Sequence, residues 1–160
     1  MNTIDVMQHG HRAVMQAIDG LEAGQWEDRR VVGVWSAKDV IAHLASFETI
    51  LIDVLTWLQD EDAETPILDE FFGAGPAAFN DAQVALRAHH MPGVVLEEYE
   101  ANVAQALELA RAFPQELFRR NGLLGWYGDE YDLDDFIVYT FYGHKREHAA
   151  QIKLLRTSHR

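Results

Sequence analysis

Ile137-Val138-Tyr139-Thr140-Phe141-Tyr142-Gly143-His144-Lys145-Arg146-Glu147-His148-Ala149-Ala150-Gln151-Ile152-Lys153-Leu154-Leu155 is the stretch that decides the fold. Ile137, Phe141, His144, His148, Ile152 and Leu155 recur at steps of three and four, which is the period of one helical face. Two histidines therefore stand where core residues belong. A helix turns about 100° per residue, so a four-residue step leaves the two rings about 40° apart and one turn along the axis. Both can point at one centre.

An earlier segment, Ser36 to Leu58, carries Val40, Leu44, Phe47, Leu51, Leu55 and Leu58 on one face. His43 lies one turn after Val40 and one turn before Phe47, at the border of that stripe. Neutral imidazole binds zinc, nickel, copper and iron, and three such ligands leave a coordination position open for water or substrate. Spacing alone leaves the other reading open, because a histidine on an apolar helix face also serves as a hydrogen-bonded core residue.

Ser36 opens the earlier helix as its cap, and Asp39 three residues later completes a capping box with an acid in place of the preferred Glu. Asp39 also lies one turn before His43, where it can orient that ring. Capping is the favoured reading, since the helix start accounts for it without a metal.

The remaining pattern is helical throughout. Helix one spans about Thr3 to Ala23 with Gly24 as terminator, and helix two spans Ser36 to Leu58. Glu61 to Pro76 reads as a loop broken by Pro66, Gly73, Gly75 and Pro76. Ala77 to His90 forms an extra short helix, and helix three runs from about Val94 to Phe113, where Pro114 stops it. Gln115 to Arg120 adds a turn. The final helix runs from about Leu133 to Arg156. No repeat or linker divides the chain, so residues 1–160 read as a single domain.

Composition narrows the function classes. The net charge of −13 disfavours nucleic acid, which is bound by Lys and Arg that displace counterions from phosphates. The acidic runs at 60–64 and 129–135 read as solvated loops and helix starts, and lack the calcium-loop pattern of an EF-hand. The absence of cysteine excludes disulfides, thiolate ligands and a cysteine nucleophile. No apolar run approaches the ~20 residues of a membrane span, and Met1 to Ile18 lacks the features of a signal peptide. The expected compartment is the cytoplasm, with no membrane partner.

Trp35-Ser36-Ala37-Lys38-Asp39-Val40-Ile41-Ala42-His43-Leu44 resembles the second-helix signature of the DinB-like four-helix-bundle superfamily. His144-Lys145-Arg146-Glu147-His148-Ala149-Ala150-Gln151-Ile152 resembles its last-helix signature. The superfamily includes the DfsB branch and the N-terminal domain of mycothiol-dependent maleylpyruvate isomerase. The resemblance implies an all-α, up-down-down-up bundle whose second and fourth helices give three histidines to one divalent metal, commonly zinc or nickel. His43, His144 and His148 match those positions. The segment 65–91 is closer to the DfsB branch than to the isomerase, so isomerase activity does not transfer directly.

Two functions from different classes follow. One is a metal-dependent thiol S-transferase or hydrolase acting on a small electrophile, with a low-molecular-weight thiol as co-substrate. The other is a metal-capable protein that binds or sequesters a small molecule without turnover. His144 to His148 also spells the H-x-x-E-H of inverted zinc peptidases, but the twelve residues after His148 leave no room for the further acidic ligand. Glu147, about 60° around the helix from His144, is the candidate catalytic acid or base. His9, His11, His89, His90 and His159 are read as incidental, with His11, on the helix-one stripe, placed to line the pocket as the alternative, and Trp126 and Tyr127 as a candidate lid. Apolar Ile50, Ile52 and Val54 outside the main stripe of helix two point to a homodimer.

Overall fold

In a computed structural model that describes residues 2–158, the helices form where caps and prolines allow. They are α1 (Thr3–Ile18), α2 (Ala23–Trp26), α3 (Ala37–Gln59), α4 (Pro66–Ala74), α5 (Pro76–Leu86) and α6 (Pro92–Ala112). A 3-10 turn follows (Gln115–Arg119), then α7 (Leu133–Ile137), a π turn (Val138–Tyr142) and α8 (Gly143–Ser158). His159 lies outside the described residues.

Three of the four prolines open a helix at its first position, where the missing N–H costs nothing, and Pro114 follows the end of α6. This placement corrects the sequence expectation for 61–76. Pro66 starts a helix, and the Asp53 carboxylate on α3 accepts hydrogen bonds from the Ile67 and Leu68 amides at 2.8 and 3.0 Å. A cap of this kind is worth about 1 kcal/mol. Two short helices, rather than one, therefore join α3 to α6, hinged at Gly75 with φ +82°. Helix one also ends earlier than expected, at Ile18, because Gly20 at φ +74° turns the chain.

Tertiary contacts fix the helix directions. Gln59 on α3 donates to the Leu109 carbonyl and Asn102 donates to the Ala45 carbonyl, so α3 and α6 run parallel. Gly10 faces Tyr142, and Arg156 donates to the Ala17 carbonyl, so α1 and α8 run parallel. His43 meets His148 while Phe47 meets Phe141, which makes α3 antiparallel to α8. The result is the up-down-down-up order.

The core is in two apolar parts. One gathers Val14, Ile41, Leu44, Ala45, Tyr99, Ala149 and Ile152 around the first half of α3. The other gathers Met7, Ile50, Leu51, Leu55, Phe79, Phe136 and Phe141 around its second half. Among these apolar residues, the buried Lys145 packs over Gly10 and pairs with the buried Glu48. Of the three apolar residues outside the main stripe of α3, Ile50 and Val54 are buried within the chain itself, with α4 and α5 against α3, and Ile52 is half-buried.

By length and composition α3 is apolar enough to cross a membrane, although dispersed polar residues break it into short apolar runs. Of its most apolar window, 67% is buried inside the protein.

Candidate metal centre

Local sequence puts His43 and the His144/His148 pair on two antiparallel helices. The capping box of α3 forms as read: the Ser36 amide donates to Asp39 Oδ2 at 3.0 Å and the Asp39 amide donates to Ser36 Oγ at 3.2 Å. Asp39 is thus engaged at the helix start rather than with His43. The final helix bends its register first. The π turn inserts one extra residue, with the Gly143 amide reaching back to the Val138 carbonyl. Ile137 and Phe141 remain buried across that turn, while His144 just beyond it is half-buried.

The three rings meet through their Nε2 atoms. His144 Nε2 lies 2.9 Å from His43 Nε2 and 2.8 Å from His148 Nε2. All three offer a ligand atom within 4.8 Å of one another. Gln151 Oε1 accepts from His148 Nδ1 at 2.7 Å, which places that ring's proton on Nδ1 and turns its Nε2 lone pair inward. Trp35 and Phe47 hold His43 between them, at ring separations of 5.1 and 4.7 Å, and its Nδ1 is buried without a partner.

Proton accounting favours a cation here. If His144 Nε2 bears a proton, it satisfies His148 but has no lone pair left for His43; if it bears none, it meets the His148 lone pair head-on. No arrangement of three neutral rings gives each of the two contacts a proton of its own. Three lone pairs directed at one ion need none.

Burial supplies the neutral form that ligation needs. It pulls His43 from the usual 6.5 down to about 2, helped by the neighbouring His144 and His148. Burial also pulls His144 down to about 4, with His148 and Lys145 adding to it. His148 falls for the same first reason, partly offset by Gln151 and Glu147. Below pH 6.5 the unfolded chain thus takes up protons that the folded chain refuses until its own, lower values are reached. The metal-free protein should accordingly lose on the order of 2 to 4 kcal/mol between neutral pH and about pH 5 relative to a variant with all three histidines changed to Gln. Urea midpoints at the two pH values measure this, and parallel pH profiles for both proteins would refute it.

Other expected site residues lie apart from the rings. Glu147 is exposed beside His148. Trp126 packs on Phe72 and Phe136, and Tyr127 on Phe136 and Tyr131, so both join an aromatic cluster rather than the imidazoles. His11 bonds the Tyr99 hydroxyl at 3.2 Å. The sequence pattern assigns no role at the site to Gln151, Trp35 or Phe47. Only Gln151 offered a signal, its spacing of one turn from His148.

A family model described as the DinB superfamily matches residues 7–152, a span that holds all three histidines. No curated protein and no solved structure matches the chain.

Proposed function

We propose that this chain, which belongs to the DinB superfamily, holds a divalent metal ion, zinc or nickel, on the Nε2 atoms of His43, His144 and His148, and joins a low-molecular-weight thiol or water to a small electrophile. The convergence of three ring nitrogens, whose two contacts cannot each have a proton of their own, is the observation that carries this reading. A divalent ion in such a site lowers the pKa of a bound water or thiol and so supplies a nucleophile near neutral pH.

The chain's own residues do the rest. Gln151 fixes the His148 tautomer, and Trp35 and Phe47 keep water from His43 and lock its ring. Glu147, exposed next to His148, is the candidate proton acceptor. Because the chain has no cysteine, the sulfur of the thiol arm comes from a small molecule.

The test offers cysteine and 1-chloro-2,4-dinitrobenzene to the metal-loaded protein, so that a carbon–sulfur bond forms, chloride leaves and the thiol proton passes to Glu147 or buffer. Hydrolysis of 4-nitrophenyl acetate is the parallel arm. Expected is a rate in one arm that disappears on chelation and drops by about 100-fold or more in Glu147→Gln with metal content intact. The same rate with and without metal in both arms would reject catalysis. The packing of Trp35 and Phe47 on His43 favours, in that event, a binding protein without turnover.

A further inference from the structure

We propose that the groove between α1 and α8 is a second binding site, for a small molecule carrying two or more anionic groups. The groove encloses about 520 Å³ and is bordered by Arg12 and His9 from α1 and by Arg146 and Lys153 from α8, with Gln16 and Tyr142 as neutral hydrogen-bonding groups. That volume falls in the range of ~300–1,000 Å³ usual for small-ligand sites. Its floor is made shallow-walled and accessible by alanines such as Ala13 and Ala150.

The charge distribution is the argument. Asp and Glu outnumber Lys and Arg by 26 to 13, yet no acid lines this groove. Elsewhere Lys38, Arg87, Arg119 and Lys145 each pair with a carboxylate: Glu27, Glu98, Asp134 and Glu48. The guanidinium groups here lie against a ring nitrogen and a hydroxyl instead. Arg12 lies 3.3 Å from His9 Nδ1, and Arg146 donates to the Tyr142 hydroxyl at 3.2 Å while sitting 5.7 Å from that ring's centre. Positioned but not neutralised, they present their remaining donors to one space, the arrangement that recognises carboxylate or phosphate.

A strongly acidic protein repels anions at long range, so a single charge would gain little; two or more, each meeting its own cation, overcome that repulsion. This site is separate from the histidines. Arg146 stands two residues beyond His144, about 200° around α8, so the groove occupies the opposite face of the helix. Its occupant does not reach the rings.

Calorimetry with inorganic pyrophosphate and, separately, tricarballylate tests the proposal and distinguishes phosphate from carboxylate chemistry. One of the two should bind with Kd below about 1 mM at low salt and weaken at least about tenfold in Arg12→Gln and in Arg146→Gln, both exposed positions. Arg111→Gln, an exposed cation on α6, and His144→Ala should retain the binding. Absence of binding by either probe overturns the proposal. So does equal weakening by Arg111→Gln, or binding lost in His144→Ala and kept in the two arginine variants, since that pattern places the anion on a metal ion at the histidines.

Discussion

His144→Ala should strip the untagged protein of divalent metal, lowering its affinity by more than about 100-fold, whereas Gln151→Ala should lower it by about 10- to 100-fold and Glu147→Gln hardly at all. The grading follows from position. His144 Nε2 is the middle atom of the three, close to both of the others, so its loss leaves His43 and His148 as two ligands from different helices with the centre vacated. Gln151 acts one bond further out, by holding the His148 proton on Nδ1; without it the ring can turn or change tautomer and still ligate for part of the time. Glu147 stands exposed and contributes only charge at a distance. Elemental analysis of each variant after dialysis, with His43→Ala beside His144→Ala, measures the series. The protein must carry no affinity tag, since a histidine tag binds nickel itself. Full metal content in both histidine variants would end the assignment.

The second large effect lies beside the rings. Glu48→Gln should destabilise the fold by about 3 to 5 kcal/mol, because it leaves the Lys145 ammonium without a counter-charge between two apolar clusters. Glu48 is fully buried and Lys145 only 4% exposed, and the two form an ion pair. Neither carboxylate oxygen receives a well-aligned hydrogen bond, so the contact is held by charge. The Lys145 ammonium lies 5.9 Å from the centre of the Tyr99 ring, and its chain packs over Gly10, where an added Cβ would come within 3.3 Å of Lys145 Cδ. The double change Glu48→Leu with Lys145→Met removes both charges at similar volume, and should fold at least as stably as the parent. Urea denaturation of the three proteins at one pH decides the matter. A Glu48→Gln protein within about 1 kcal/mol of the parent would show that the pair is not a buried charge contact of the expected kind.

These two effects come from side chains of the same two helices, α3 and α8, and only one of the two groups was legible in the sequence. His43, His144 and His148 were legible because each sits on or beside an apolar stripe, and a polar residue in such a stripe stands out in one dimension. Glu48 and Lys145 were not. Lys145 is followed by Arg146 and Glu147, which look like a solvated helix surface, and a lone Glu or Lys on a helix is usually a charge in water. The same blindness hid α4, whose start depends on Asp53 of another helix, and the π turn, which leaves no mark in a pattern of period three and four.

From the sequence alone came the all-helical class, the main helices, the Ser36 capping box and the three histidines, since each of these rests on spacing within a few turns of one helix. Only the tertiary structure decided that the imidazole nitrogens meet, that a buried ion pair lies beside them, and that unpaired cations share a groove on the far side of α8. Contact between side chains from distant parts of the chain depends on the relative register of helices. That register is set by how whole faces pack, a sum over many residues that no local period encodes.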